Sequence, residues 1–159
     1  MTSGATGCFL DTDGKLTKLP APAGSNTISA GAINDKGEIA GSLSFSSGAP
    51  SHAASYSNGI WTDLGAIAGA LSTSGAGIII AGEVVGAAIF PISQYHPFKP
   101  GKHVAFVSLS GSAVADLNTL ISAGTGFTIT DAVGINDSGQ ILCNATNSNG
   151  EEHAVLLTP

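Results

Sequence analysis

The chain has 159 residues, enough for one domain with a real core. Only 10% of them are charged, 22 are glycine, and the formal net charge is −6. Five Lys and Arg side chains are too few to neutralise a phosphate track, so nucleic acid is not an expected partner. A glycine-rich, charge-poor chain has the profile of a tightly turned β protein. Its acidity fits a soluble surface and is compatible with a basic protein partner.

Residues 1–6 carry neither a basic region nor an apolar run, so no signal peptide is expected there. Gly7 to Leu10 reads as a short apolar strand, and Asp11-Thr12-Asp13-Gly14 as the turn that ends it. Leu16 to Leu19 alternates, and residues 20–24 form a Pro-rich connector. A strand is expected from about Thr27 to Ile33. Asn34-Asp35-Lys36-Gly37 then reads as a hairpin turn. Asn and Asp hydrogen-bond nearby backbone, and Gly suits a left-handed position where a Cβ clashes. Strands follow near Glu38 to Phe45 and His52 to Tyr56. Asn58-Gly59 is a two-residue hairpin signal, leading into Ile60 to Leu64.

Residues 65–75 read as a connector. The most hydrophobic span, Gly75 to Ile92, has about the minimum length of a membrane helix, but Glu83 and several glycines interrupt it. Two strands joined at Ala81-Gly82 explain it better, so no membrane span is expected. Residues 91–102 form a Pro-containing insertion. His103 to Leu109, a Ser110-Gly111 turn and Ala113 to Leu117 come next, and Asn118 to Ala123 suit one helical turn. Strands are expected near Phe127 to Ile135, Gln140 to Ala145 and His153 to Leu157, with a turn at Asn149-Gly150.

The hairpin returns. Ile33-Asn34-Asp35-Lys36-Gly37 matches Ile135-Asn136-Asp137-Ser138-Gly139, and a decayed copy, Ile78-Ile79-Ile80-Ala81-Gly82, lies between them. Gly41 recurs 45 residues on as Gly86, and Cys143 takes the place 57 residues further. A period of 40 to 50 residues with about four strands per unit is the signature of a propeller blade. The expected fold is therefore all-β, one domain over residues 1–159. It has three propeller-like units of four short antiparallel strands, at about residues 16–60, 61–111 and 112–159, with an extra strand at 7–10. Propellers need about four blades or more, and three leave open edges. The expected closure is a homodimer making about six blades, with the extra strand pairing across the seam. A piece of a longer array, or a compact sandwich or barrel, are the alternatives.

The order of these motifs resembles the HAF-type extracellular repeats of bacteria, named for a His-Ala-Phe strand. The matching residues are Ile33-Asn34, Gly37, Ile39-Ala40-Gly41, His52-Ala53-Ala54, Asn58-Gly59 and Asp63-Leu64-Gly65. They continue in Asp116-Leu117-Asn118, Ile135 to Ile141 and His153 to Pro159. The departures are the missing Asn-Asp of the middle unit, Cys143 in place of the usual glycine, and Phe absent from two His-Ala strands. The resemblance implies a secreted or cell-envelope (periplasmic) β-propeller-like protein and no shared catalytic activity.

Candidate chemistry is sparse. Asn34, Asp35, Gly37, His52, Asp63, Asp116, Asn136, Asp137, Gly139 and His153 recur at repeat positions, which favours structural roles. His103 sits one residue out of step with His52 and His153. Asp11-Thr12-Asp13-Gly14 lacks the further oxygen ligands of a calcium loop. Cys8 and Cys143 read as buried free thiols, or else as a staple formed in an oxidising compartment. Trp61 alternates within a strand and reads as core rather than as a ligand platform. No metal, cofactor or catalytic residue is assigned.

The insertion concentrates Tyr95, His96, Phe98, Lys99 and Lys102 on a Pro-stiffened loop, which suits contact with a protein or glycan. An elongated edge loop or a clamp between subunits is the plainer account. The functional expectation is a non-enzymatic binding module, with an inhibitor-like or immunity-like envelope protein as one form. A hydrolase or lyase is the alternative, if two or more of Asp11, Asp13, Asp63, Glu83, Asp116 and Asp131 meet in one cleft. A purely structural oligomer is the third.

Overall fold

A computed structural model of the chain describes residues 8–46, 48–91, 101–122 and 124–159. Over these residues the fold is all-β, with four antiparallel sheets, none closed into a barrel. Strands β1 (Phe9–Thr12) and β2 (Lys15–Lys18) form a hairpin of their own. The first four-stranded sheet orders β3 (Ser25–Ile33), β4 (Ile39–Phe45), β5 (His52–Ser57) and β6 (Ile60–Gly65) side by side. The second orders β7 (Ser72–Ile78), β8 (Val84–Ile89), β9 (His103–Ser108) and β10 (Ala115–Asp116) in the same way. A 3₁₀ turn, Leu117–Thr119, follows. The third sheet has three strands, β11 (Phe127–Ile135), β12 (Ile141–Asn147) and β13 (Glu152–Leu157).

Short turns dictate this order, because a tight turn can only join antiparallel neighbours. Asp13-Gly14, Asn58-Gly59 and Ser110-Gly111 all hold two successive residues at positive φ. Each closes the last hairpin of its group. The other turn type joins the first two strands of each larger sheet. In it Gly37 N–H donates to the Asn34 carbonyl at 2.9 Å, and Asn34 N–H to the Glu38 carbonyl at 3.0 Å. The same pair of bonds recurs at Ile79 and at Asn136, with Gly82 and Gly139 left-handed at the matching place.

Four expectations need correction. The sheets are phased differently from the sequence units: Ile60–Gly65 ends the first sheet rather than opening the second, because the Asn58-Gly59 turn ties it to β5. Likewise Leu16 belongs with β1, so 7–10 is not a lone extra strand. Among the described residues the third sheet has three strands, where four were expected.

Residues 72–75, expected as connector, belong to a strand that runs Ser72–Ile78. Ser72–Ile78 carries small residues because it packs between neighbours. A Cβ on Gly75 would lie 3.1 Å from Ala40 Cβ and 3.0 Å from Val84, and a Cβ on Gly31 of β3 would overlap the Gly75 carbonyl oxygen.

The core lies in three layers between successive sheets. Leu19, Ile28, Leu43 and Trp61 seal the β1–β2 hairpin to the first sheet. Ala40, Ala53 and Leu64 meet Ile78, Val84 and Phe106 of the second. Val85, Ala105 and Val107 meet Ile129, Ile141 and Cys143 of the third. Burying one such aliphatic side chain contributes about 1.5–3 kcal/mol. Cys8 and Cys143 are both free thiols, in different layers. Burial pushes the Cys143 thiol up to about 11 and raises Cys8 as well. No described helix is long and apolar enough to cross a membrane.

Candidate functional site at the foot of the 91–102 insertion

Tyr95, His96, Phe98 and Lys99 lie outside the described residues. Lys102 is described, and it closes the foot of the insertion. Phe90 N–H donates to the Lys102 carbonyl at 2.8 Å, and Lys102 Nζ stands 6.0 Å from the Phe90 ring centre. At that separation the cation is at the outer limit of attraction to the ring.

Beside this foot, between the second and third sheets, is a hollow of about 530 Å³. Lys102 and His103 line it from one side, and Thr128, Thr130, Asp131, Asn147 and Glu152 from the other. An adjoining hollow of about 590 Å³ shares Lys102, Thr128 and Asn147 and reaches Asp116 and Asn118. His103 Nδ1 lies 2.8 Å from Asp131 Oδ1, a bond that joins the two sheets across the hollow. Asn118 fixes the 3₁₀ turn to β11. Its Nδ2 donates to the Ile129 carbonyl at 2.9 Å, and its Oδ1 accepts the Ile129 N–H at 2.7 Å. Together the two hollows are lined by one cation, three carboxylates (Asp116, Asp131 and Glu152) and a set of hydroxyl and amide groups. Such groups can both donate and accept hydrogen bonds.

Apart from Asp116, the repeat residues lie outside these two hollows. His52 Nδ1 lies 2.9 Å from Asp63, and Asp63 also accepts the Gly65 N–H at 2.8 Å. Among the described residues no fourth strand lies beside His153; it meets Asn147 Nδ2 at 3.3 Å and stacks edge-on with Phe127. Asp116 accepts the Asn118 N–H at 2.8 Å, as the cap of the 3₁₀ turn. Asn34 Oδ1 accepts the N–H groups of Lys36 and Glu38, and Asn136 Oδ1 those of Ser138 and Gln140. Asp35 is exposed at its turn, whereas Asp137 accepts the Ile80 N–H at 3.0 Å. Hydrogen bonds from Asn34 and then Ser57 hold the Glu38 carboxyl below its ordinary value. Trp61 is buried against Tyr56, their ring centres 5.3 Å apart.

The carboxylates singled out by sequence are spread. Asp11 accepts the Gly14 N–H of its own turn, Asp63 serves His52, and Glu83 lines a separate groove near the Ile79 turn. Asp116 and Asp131 line adjoining hollows rather than one. Among the described residues, no group of three or more His, Cys, Asp or Glu is placed to hold a metal ion.

Sequence reasoning passed over Glu152, Thr128, Thr130 and Asn147. The alternation of Thr128 and Thr130 was a usable signal, since residues two apart on a strand share a face. Glu152 gave none, because only the pairing of β13 with β12 brings it to the hollow. No protein-family model matches the chain, and no curated protein or solved structure matches it at a significant level.

Proposed function

We propose that the chain is a non-enzymatic, propeller-like β-repeat module of the HAF type that binds a protein or glycan outside the cell or at the cell envelope. In this reading two copies close one ring of about six units. The observation that carries the binding role is the polar hollow at the foot of the insertion. It sets Lys102, Asn147 and two threonines around a space of about 530 Å³. The stacking of successive sheets through equivalent faces supports the propeller-like arrangement.

A panel of immobilised glycans and envelope proteins, read by surface plasmon resonance, tests the binding role. A ligand of this hollow should lose at least tenfold in affinity with Lys102→Ala or Asn147→Ala and be unaffected by Asp35→Ala at a distant turn. A ligand bound equally by all three variants would remove the hollow from the account. Asp131 and Glu152 share the hollow, and that pairing favours glycan hydrolysis as the second reading. Turnover of a bound glycan, abolished by Asp131→Asn or Glu152→Gln, would replace binding with hydrolysis.

A further inference from the structure

Strand register makes positions in successive sheets equivalent. Gly41 pairs with Ala54, Gly86 with Phe106, and Cys143 with Val155. One step earlier, Ala40 pairs with Ser55, Val85 with Val107, and Leu142 with Leu156. This second set faces the following sheet. Ala40 and Val85 are fully buried there, and Val107 is 5% exposed. Leu142 and Leu156 occupy the same positions on the third sheet, yet they are 48% and 57% exposed. The face that forms each seam inside the chain is uncovered at this end, and its residues are larger than in the covered copies.

The other end shows the complement. Gly14, Gly59 and Gly111 close equivalent turns, and five residues before them stand Phe9, Ala54 and Phe106. Phe106 is fully buried in the seam between the first and second sheets. Phe9 is 58% exposed, and so is Leu16, at 67%, in the place that Trp61 holds in the first sheet. Cys8 and Leu10 point the other way, into the first layer of the core. The β1–β2 hairpin therefore presents, outward, the residues that cover a seam face elsewhere in the chain.

We propose that copies of this chain associate head to tail, the Phe9–Leu16 face of one copy covering the Leu142–Leu156 face of the next. The inference rests on the ring-closure reading and assigns its surfaces; with the β1–β2 hairpin counted as a layer, two copies of four sheets each stack eight sheets rather than six. The seam is a face-to-face packing that repeats the internal layers, not a strand added at an edge. The occupant is a second copy because this chain itself carries the complementary face in register. Two unlike faces make a heterologous contact, which closes when the rotation per copy permits.

The test uses light scattering over a dilution series, on the wild type and two double variants. One carries Phe9→Asp with Leu16→Asp, the other Leu142→Asp with Leu156→Asp. All four side chains are exposed, and circular dichroism checks that each variant keeps its β spectrum; Gln at the same positions replaces any Asp pair that unfolds. The wild type should have twice the chain mass, each variant alone the single mass, and their equimolar mixture should recover the double mass through one intact seam. A wild type that stays monomeric at every concentration overturns both the ring closure and this seam. A wild-type dimer that survives one of the two variants, or variants that fail to rescue each other, overturns the head-to-tail seam and leaves the ring closure standing.

Discussion

Asn34 Nδ2 donates to the carbonyl oxygen of Ile79 at 3.0 Å, joining the turn of one sheet to the turn of the next. The Ile79 turn has no Asn of its own to hold it. Its backbone is held from both sides instead: Lys36 Nζ donates to the Ile80 carbonyl at 2.9 Å, and Asp137 accepts the Ile80 N–H. The middle copy of the repeat lost its polar turn residues, and the flanking copies supply the bonds.

Asn34→Ala should therefore cost more than Asn136→Ala. Asn34 anchors its own turn and the neighbouring one, whereas the described hydrogen bonds of the Asn136 amide, to Ser138 and Gln140, stay within its own turn. The expected losses are about 1–3 kcal/mol for Asn34 and about 0.5–1 kcal/mol for Asn136 by urea denaturation. Equal losses would mean that the bond to Ile79 contributes nothing.

Glu38 gives the turn a pH dependence. Its carboxyl is held below the ordinary 4.5 by Asn34 and Ser57. A depressed folded value means that its stabilisation is fully present above about pH 4.5 and is lost as pH falls through the lower folded value. The stability difference between wild type and Glu38→Gln should shrink as pH is lowered from 5 to 3. A difference independent of pH would remove Glu38 from the acid response.

Cys143 is fully buried, and its thiol is pushed up to about 11. A raised folded value stabilises the fold below the ordinary thiol range and fades as pH climbs toward 11. Native protein at pH 8 should label with an aromatic disulfide at Cys8 well before Cys143, which should react only at the rate of unfolding. Cys143→Ser should cost about 1–3 kcal/mol, since a hydroxyl replaces a thiol in an apolar layer. Rapid labelling of Cys143 in the native state would contradict this burial.

Gly31→Ala should destabilise by about 1–3 kcal/mol, because the new Cβ overlaps the Gly75 carbonyl and strands β3 and β7 must part. Gly134→Ala is the control. Its Cβ would meet nothing within 4 Å, and its φ is not left-handed. It should be neutral, or stabilising by about 0.4–1 kcal/mol. Equal thermal midpoints for the two variants would show that β3 and β7 are not in close approach.

The sequence by itself determined the hairpins. Asn34 to Gly37, Asn58-Gly59 and Ser110-Gly111 specify their turns through contacts within a few residues, so the strands beside them are legible without the rest of the molecule. The repeated Gly82 marked the middle turn even without Asn. Other features depended on partners far along the chain. Ser72–Ile78 is a strand because it pairs with Val84–Ile89, and its Gly75 is small because Gly31, Ala40 and Val84 crowd it. The phase of the sheets follows from which strands each turn ties together, not from where the motif repeats begin. His103 found Asp131, 28 residues on, in the next sheet, while His52 found Asp63 in its own. Burial likewise belongs to the tertiary structure: Val107 and Leu156 look alike in sequence, and one is covered by a following sheet while the other is not. Local chemistry sets the turn, but only packing decides which face of the resulting sheet meets water.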